Sequence, residues 1–513
     1  MDKGIGNWVT VHARRTPQRL ALIDGNTGQR TTYGELEQRT NALADALRAR
    51  GTRKGDRVAM MALNSPQFLE VAIAVAKLGA VLVPINFRLV APEVRYILED
   101  CAPGVLLASQ QVMAVAREAA HATCVRHLIE LPSAQQRAAG ESGEYESLIA
   151  GASSARVPVS VGQDEVATLM YTSGTTGFPK GVMLTHGNHL WNMLTNVSMS
   201  EGLTPRDISL AAAPLFHIGA FGIFTLPLLY LGGASIVLES FSPAGWLEAV
   251  EQHRPTLAFC VPAMWAAIHA AGLQGRDLAS LRYTVSGGAP CPVVLIEALR
   301  SAGLVFTEGF GLTETAPIAS VLDAADVLER AGSIGKPIAH VEYRIADEAG
   351  QDVPPGETGE LLIRGPNVFI GYWQKPEATA EALRGGWFHP GIAEVAVIGS
   401  PDARWGEAVT AVVVPKAGAQ IDEAGLIAWC RERLVPQVPG ALQVPARGAV
   451  HRRAAAHRHR QGAQARVAPA LDGGRRCRAA LAHASPAVRA CLRSPRGCAS
   501  AASGGLRRCK SSR

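Results

Sequence analysis

The fold is decided by the stretch Tyr171-Thr172-Ser173-Gly174-Thr175-Thr176-Gly177-Phe178-Pro179-Lys180-Gly181. Apolar residues from Val166 to Met170 predict a buried strand before it, and a helix is predicted from Asn188 onward. Glycines let backbone N–H groups approach phosphate oxygens, hydroxyl groups add donors, and Lys180 adds a positive charge. The stretch therefore predicts a phosphate-binding loop between a strand and a helix, in preference to a flexible surface turn. It is not a Walker loop, because Phe178 and Pro179 separate the last glycine before them from the lysine.

Composition predicts a large, globular, multidomain protein. The chain has 513 residues, of which 48% are hydrophobic, so two or more domains are expected. Its net charge of +6 is unevenly distributed: 441–513 contains 15 Arg, Lys510 and Asp472, which leaves −9 for the rest. The N-terminus shows no signal sequence, which predicts a cytoplasmic location, with peripheral membrane association left open. The five cysteines before the tail form no CxxC pair and are expected to be reduced and mostly buried.

Strand and helix patterns alternate from the N-terminus to Phe388, which predicts a doubly wound α/β protein. The polar residues from Ser133 to Tyr145 are predicted to form a surface loop. Ile208 to Leu238 has no charged residue, so a membrane span has to be considered. Prolines and glycines interrupt this run, and a strand, a loop, a short buried helix and another strand explain it better.

Three further motifs offer chemistry. Glu308-Gly309-Phe310-Gly311-Leu312-Thr313-Glu314-Thr315 provides a ring for base stacking, a hydroxyl for phosphate and a carboxylate for Mg²⁺. Ser286-Gly287-Gly288-Ala289-Pro290 predicts a strand that ends in a turn, which alone is a weak signal. Pro214-Leu215-Phe216-His217 places one histidine in an apolar run, where a core histidine is the ordinary interpretation.

Together these motifs resemble the adenylate-forming superfamily of acyl-CoA synthetases, luciferases and peptide-synthetase adenylation domains, and most closely the bacterial fatty-acid CoA ligases. The resemblance extends from Gly6 to Phe388 and again from Ile392 to Leu434. It implies a large domain of two doubly wound αβ sub-domains and a small β-barrel, followed by part of a small α+β domain. The expected boundaries are 1–388 for the adenylation domain, 389–440 for the partial C-terminal domain, and 441–513 for a disordered tail.

The resemblance also implies roles for individual residues. Catalytic roles fall to His217, Thr313, Glu314 and Lys180, and Glu314 is the expected Mg²⁺ ligand. Acid-binding roles fall to His217, Phe221, Gly288 and Gly311. The residues expected to bind ATP are Thr172, Ser173, Gly174, Thr175, Thr176, Gly177, Lys180, Gly287, Gly288, Ala289, Pro290, Glu308, Gly309, Phe310, Gly311 and Thr313. The implied reaction uses ATP, Mg²⁺ and coenzyme A, with no specific nucleic acid and no transmembrane segment, and a homo-oligomer is left open.

The resemblance breaks after His389. The family continues there with an aspartate for the ribose, a hinge, an arginine and a glycine loop for the pantetheine arm of CoA. Here His389-Pro390-Gly391-Ile392-Ala393-Glu394-Val395 matches a family segment that lies several dozen residues further on. An internal deletion explains this best, and an evolved shortcut is the alternative. After Pro436 the family's adenylation lysine is also missing, since Lys510 matches no motif.

The tail from Ala441 is rich in Arg, Ala, Gly and Pro and contains no aromatic Phe, Tyr or Trp. A nucleic-acid or membrane-surface arm is one interpretation, but stacking residues and zinc-ligand spacing are missing. A shifted reading frame in GC-rich DNA is preferred, and the tail is expected to be disordered. Two functions follow: a CoA ligase for medium- or long-chain fatty acids, or a catalytically impaired remnant that binds nucleotide or acyl chains. An aryl or sterol-derived acid is left open.

Overall fold

A computed structural model of the chain describes residues 2–141, 143–172, 178–199, 201–347, 349–355 and 359–390, together with the backbone of three later strands. The chain divides into two units, Met1–Gly391 and Ile392–Arg513. The predicted domain boundaries at 388 and 440 stay predictions.

The strands of the first unit alternate with helices along most of its length. In chain order the strands are β1 (Leu20–Asp24), β2 (Arg30–Thr32), β3 (Arg57–Met61), β4 (Val81–Ile85), β5 (Val105–Ser109), β6 (His127–Leu131), β7 (Val166–Thr172), β8 (Lys180–Thr185), β9 (Ile208–Ala211), β10 (Ala234–Val237), β11 (Leu257–Cys260), β12 (Tyr283–Gly287), β13 (Phe306–Gly311), β14 (Ile318–Leu322), β15 (Lys336–Pro337), β16 (Glu342–Ala346) and β17 (Glu360–Arg364).

Several helices begin at a residue whose side chain accepts a hydrogen bond from a free N–H group of the first turn. Thr32 and Glu35 form a reciprocal capping box at the start of α2, and Thr185 and Asn188 form one at the start of α8. In chain order the helices are α1 (Gly6–Arg15), α2 (Tyr33–Ala49), α3 (Pro66–Lys77), α4 (Ala91–Cys101), α5 (Met113–Ala120), α6 (Ala134–Ala139), α7 (Glu144–Ala150), α8 (His186–Val197), α9 (Ile218–Ala220), α10 (Leu226–Leu231), α11 (Pro243–His253), α12 (Pro262–Ala270), α13 (Val293–Ser301) and α14 (Pro376–Ala382).

Two sheets form the framework of the first unit. The larger has nine strands in the order β15-β14-β13-β12-β11-β9-β10-β1-β2, and the smaller has six in the order β6-β5-β3-β4-β7-β8. The central pairs of both sheets are parallel. Antiparallel strands lie at both edges of the larger sheet but only at the β8 edge of the smaller one, since β6 pairs parallel with β5. Parallel strands need covering helices on both faces, so this is the predicted doubly wound α/β arrangement, which is confirmed.

All twelve residues of helix α3 are buried, and the helix contacts β4 of one sheet and β1 of the other. Its two charged residues are paired, as burial requires. Glu70 accepts hydrogen bonds from Arg39 and Tyr145, and the Lys77 ammonium donates to Glu37 and Asn41 at 2.7 Å each.

The uncharged run from Ile208 to Leu238 forms β9, the helical segment α9–α10 and β10. One π-helical turn, Phe221–Thr225, joins the two helices. In the part of the chain that the structure describes, no helix has both the length and the apolar character needed to cross a membrane.

The predicted surface loop from Ser133 to Tyr145 is wrong, because α6 and the start of α7 lie there. Ser133 caps α6 through a capping box with Gln136, and Gly140 ends the helix at φ +67°. These local capping signals override the absence of a clear apolar period.

The region predicted as a small β-barrel forms, in the described residues, a two-stranded antiparallel sheet of β16 and β17. Single bridges extend it, between Ala346 and Asp352 and between Ile363 and Phe388. In the second unit, β18 (Ala396–Asp402) pairs antiparallel with β19 (Gly406–Val413), which pairs parallel with β20 (Arg447–Val450). Strand β20 falls within the predicted tail, and the rest of 441–513 lies outside the described residues.

Candidate active site

The predicted phosphate loop joins two antiparallel strands. β7 ends at Thr172 and β8 begins at Lys180, and these two residues are paired in register. The prediction of a loop between a strand and a helix is therefore wrong, because Val182 to Thr185 continue β8 and α8 starts only at His186. A helix N-terminus does not lie directly behind this loop. Five predicted ATP-binding residues lie outside the described residues: Ser173, Gly174, Thr175, Thr176 and Gly177.

Asp100 connects Tyr171, in the strand that leads into the loop, to Trp373 from a distant part of the sequence. The Tyr171 hydroxyl donates to Asp100 Oδ2 at 2.6 Å, and the Trp373 indole N–H donates to the Asp100 carbonyl at 3.2 Å. Across the loop, the exposed Phe178 ring stacks on Tyr96 with centroids 5.3 Å apart. Both ends of the loop are thus fixed to α4.

Lys180 and Glu314 are brought together by Tyr372. The Lys180 ammonium lies 5.2 Å from the centroid of the Tyr372 ring, and the Tyr372 hydroxyl donates to Glu314 Oε1 at 2.9 Å. The Phe369 N–H donates to the Glu314 carbonyl at 2.8 Å and fixes the segment that carries the tyrosine. The sequence marked Lys180 and Glu314 but assigned no role to Tyr372, which no local pattern distinguishes from a packing tyrosine.

Burial changes the acidity of both partners. Desolvation raises the pKa of Glu314, and the Tyr372 hydrogen bond and the Lys180 charge partly offset this effect. Desolvation and the neighbouring carboxylate also raise the pKa of Tyr372, so its hydroxyl remains a donor at neutral pH. Glu314 is 8% exposed, so its carboxylate is largely shielded from water.

The described residues contain no group of three or more His, Cys, Asp or Glu side chains able to bind a metal by themselves. A single buried carboxylate beside a lysine still fits Mg²⁺ bound together with a nucleotide. Magnesium in such sites takes one or two carboxylates, substrate phosphates and water as ligands. The donor set around Glu314 is therefore compatible with the predicted metal.

The two glycine motifs lie on adjacent strands. Gly287 of β12 is paired with Gly309 of β13, and a Cβ at Gly287 would lie 3.0 Å from the Gly309 carbonyl oxygen. Gly288 follows at φ +85° and is exposed together with Ala289 and Pro290. Glu308, an expected ATP contact, is buried and accepts a hydrogen bond from the Cys291 N–H at 2.8 Å. It thus fixes the turn after β12 from the neighbouring strand.

Gly311 ends β13, and no other residue fits there. A Cβ at this position would lie 1.8 Å from the Pro317 carbonyl oxygen, which is a severe clash. Phe310 before it is half-buried, and Thr313 after it is half-buried in a short 3₁₀ turn that also carries Glu314. The motif from Glu308 to Thr315 therefore lies on a strand end followed by one tight turn.

His217 lies immediately before α9, with its ring 4.1 Å from that of Phe216. Part of its surface is exposed. Surrounding protein atoms and the positive charge of Arg88 both lower the pKa of His217, so its imidazole is neutral at pH 7. Arg88, whose guanidinium lies 4.6 Å from the Phe87 ring centroid, was not identified from the sequence, because the two residues are distant along the chain.

Phe221, an expected acid-binding residue, is a core residue here. It is 1% exposed, and its ring packs against Phe68 and His189. Phe259 of β11 lies instead between Gly219 and Gly287. Its ring atoms lie 3.2 Å from a Cβ built at Gly219 and 3.3 Å from one built at Gly287. Sequence reasoning missed Phe259, since it is one of many apolar strand residues.

Comparison with known proteins agrees with this architecture. The sequence matches the AMP-binding enzyme family over residues 9–373 and the AMP-binding enzyme C-terminal domain over residues 388–446. It is 40% identical over 486 residues to a feruloyl-CoA synthase of Amycolatopsis sp, covering 86% of this chain and 95% of that protein. It is 30% identical over 476 residues to the long-chain-fatty-acid–CoA ligase FadD13 of Mycobacterium tuberculosis, covering 84% and 92%.

Among solved structures, the N-terminal domain of FACL13 from Mycobacterium tuberculosis has a TM-score of 0.68 at 30% identity, covering 79% of this chain and 98% of that one. A Mycobacterium tuberculosis fatty acyl CoA synthetase has a TM-score of 0.70 at 28% identity, covering 88% and 94%. The family model spans more than half of the sequence, and the fold agrees with it. The chain therefore belongs to the AMP-binding enzyme family and descends from the adenylate-forming acyl-CoA ligases.

Proposed function

We propose that this protein retains the nucleotide and acid half of an AMP-forming acid–CoA ligase. The observation that supports it best is the juxtaposition of Lys180, Tyr372 and Glu314 beside the ends of the phosphate loop. In this proposal Lys180 and the loop bind the ATP phosphates, Thr172 and Thr313 add hydroxyl donors, and Glu314 binds Mg²⁺. Phe310 and the segment from Gly287 to Pro290 border the adenine.

The reaction activates a carboxylate, which otherwise has a poor leaving group. The acid's oxygen attacks the α-phosphorus of ATP, the bond to pyrophosphate breaks, and a mixed acyl–AMP anhydride forms. The CoA thiolate then attacks the acyl carbon and AMP leaves with the electron pair. Lys180 contributes positive charge where negative charge develops, and Mg²⁺ would neutralise further phosphate charge when bound. Gly288, Gly311 and the neutral His217 ring border the acid, and the exposure of Gly288 and His217 supports this assignment.

For the acid, the position of Phe259 favours a compact, planar aryl acid. Its ring fills the space between Gly219, which follows His217, and Gly287, which precedes the turn. A long acyl chain would have to displace this ring, whereas an aromatic acid stacks against it. The 40% identity to a feruloyl-CoA synthase supports the same class.

A medium- or long-chain fatty acid is the second candidate. It is the acid class predicted from the sequence, and the likeness to FadD13 and to the FACL13 structures favours it. Binding of a long acyl chain requires that the Phe259 ring rotate away from Gly219 and Gly287. The acid class thus depends on whether the Phe259 side chain can change its rotamer.

The chain also lacks groups that the whole reaction uses. No residue after His389 matches the ribose aspartate or the hinge, and none after Pro436 matches the adenylation lysine. The alignment with feruloyl-CoA synthase supports an internal deletion: it runs over 486 positions, whereas 86% of 513 residues is about 441, so about 45 positions have no residue here. We therefore propose binding of Mg·ATP and an acid with little turnover. The cytoplasmic location, any peripheral membrane association and any homo-oligomer stay predictions from the sequence.

Calorimetric titration of the 513-residue chain tests the acid class. With Mg·ATP present, ferulate is expected to bind and palmitate is not. Phe259→Leu should increase palmitate binding. Phe224→Leu is the control, because it replaces a buried ring that packs against Tyr283, and it should leave palmitate binding unchanged. Palmitate binding tighter than ferulate binding in the unchanged chain would favour the fatty-acid candidate. Binding of neither acid, with ATP also unbound, would contradict the proposal as a whole.

A further inference from the structure

A cavity lies away from the residues assigned above. It has a volume of about 410 Å³ and lies where β3 and β5 begin. Cavities that bind small molecules usually measure roughly 300–1,000 Å³. Arg50, Arg57 and Arg126 line it, together with Asp56 and the exposed thiol of Cys124. None of these residues belongs to the predicted ATP or acid site.

The charges around this cavity are unbalanced. Three guanidinium groups face one carboxylate, and no ion pair of these arginines is present among the described residues. Arg57 is anchored at the end of α4, where it donates to the Cys101 carbonyl at 2.6 Å and the Ala102 carbonyl at 3.1 Å. Its charge is therefore fixed at the cavity wall and is not free to turn into solvent.

Arg126 has the most available donors. In the described part of the structure its guanidinium makes no hydrogen bond to protein. Two glycines make room for it: a Cβ at Gly104 would lie 3.1 Å from Arg126 Nη2, and one at Gly51 would lie 3.7 Å away. Arg50 uses one donor, to the Ala46 carbonyl at 3.3 Å. The cavity thus offers several unused N–H groups on two side chains.

We propose that this cavity binds a small anion of the phosphate class that carries at least two charged groups, such as pyrophosphate or the phosphates of a nucleotide. The planar guanidinium fork matches the oxygens of a phosphate in pairs, which makes arginine the preferred residue for such ligands. A multiply charged anion would neutralise the positive charge of the three arginines, which the single carboxylate of Asp56 does not. The site is independent of the proposed ligase function, because it shares no residue with it.

Cys124 gives a local test that does not depend on activity. Alkylation of its thiol by the neutral reagent N-ethylmaleimide is followed by peptide mass spectrometry, which separates Cys124 from all other cysteines. At pyrophosphate ten times its Kd, alkylation should slow about tenfold by mass action. Arg126→Ala and Arg50→Ala should each remove most of this protection. Each variant is compared with and without ligand, and circular dichroism checks its folding, so that either variant can serve alone.

Arg53→Ala is the matched control. Arg53 belongs to the same basic stretch, but its side chain is exposed and donates to the Arg48 carbonyl at 2.7 Å, outside the cavity lining. This variant, and Lys180→Ala, should keep the protection. AMP and ADP as additional probes separate a nucleotide ligand from free pyrophosphate. No protection by any of the three in the unchanged chain, equal protection in Arg126→Ala and Arg50→Ala, or equal protection by citrate would overturn the proposal.

Discussion

The hydroxyl of Tyr372 donates to Oε1 of Glu314 at 2.9 Å, across 58 positions of sequence. This bond connects the carboxylate expected to bind Mg²⁺ with a ring that the Lys180 ammonium approaches to 5.2 Å. A buried carboxylate with one hydrogen-bond donor stays oriented but retains free lone pairs. Tyr372 therefore orients the Glu314 carboxylate so that it can bind a cation, and it also contacts the Lys180 ammonium.

Tyr372→Phe is expected to weaken Mg·ATP binding, because Glu314 loses the donor that favours its ionised form. A hydrogen bond to a charged group contributes about 1.5–3 kcal/mol, which corresponds to roughly a tenfold loss of affinity or more. Titration calorimetry with and without Mg²⁺ measures the loss. Tyr343→Phe is a matched control on β16 and should leave affinity unchanged. Unchanged binding in Tyr372→Phe would show that this hydroxyl has a packing role only.

Lys180→Ala and Glu314→Ala are both expected to weaken Mg·ATP binding. Lys180 supplies charge to the phosphates, and Glu314 acts through the metal. The Glu314 effect should therefore vanish when Mg²⁺ is omitted, whereas the Lys180 effect should remain. Lys510→Ala, in the tail, should change nothing. Equal effects of all three substitutions, measured by the same titration, would mean that the site is misplaced.

Acid should destabilise the first unit through two buried histidines. Burial lowers the pKa of His186 to about 4 and that of His189 to about 3, whereas the unfolded chain titrates near 6.5. The unfolded state thus binds more protons below pH 6.5, and stability falls as the pH drops from there through the folded pKa values. At pH 5 each histidine costs about 2 kcal/mol of unfolding free energy. Urea unfolding at pH 7 and at pH 5 measures this loss of unfolding free energy. His186→Gln should reduce the loss by about half. An unfolding free energy that is the same at both pH values would contradict the prediction.

Limited trypsin digestion is expected to leave a stable fragment that ends near Trp387 or Leu434. The end of the first unit is fixed by backbone hydrogen bonds between Phe388 and Ile363 and from His389 to the Ala382 carbonyl, whereas 441–513 offers 15 arginines and few large apolar residues. Mass spectrometry of the fragments over time checks the order of cleavage. Rapid cleavage throughout the first unit would count against the fold described here.

The sequence predicted the α/β architecture because strand periodicity and glycine-rich turns are local signals. It also marked Lys180, Glu314 and the two motifs that contain Gly287 and Gly309. It missed Tyr372 and Phe259, since an aromatic residue in a strand or loop has the same local pattern whether it borders a site or packs in a core. It did not predict β8 between the loop and α8, because Val182, Met183 and Leu184 form an apolar run too short to show a strand period.

The capping box at Ser133 and Gln136 was visible in the sequence and should have predicted α6. Arg88 beside His217 could not be predicted, because the contact depends on how two distant segments meet. The internal deletion after His389 stays a prediction, because it rests on the order of family segments and not on a feature of the fold.

The most direct test of the account is thioester formation by the 513-residue chain with ATP, Mg²⁺, CoA and ferulate or palmitate. Removing one preorganised donor costs about 2.7–4 kcal/mol of transition-state stabilisation, or roughly 10²–10³ in rate. Such losses need not add, so we expect a rate at least about 10² lower than that of a chain in which the missing segment and an in-frame C-terminus are restored. The restored chain should lose its activity again on Glu314→Ala. Thioester formation by the unrestored chain at the rate of the restored one would contradict the account, since another residue would then have to replace the missing lysine.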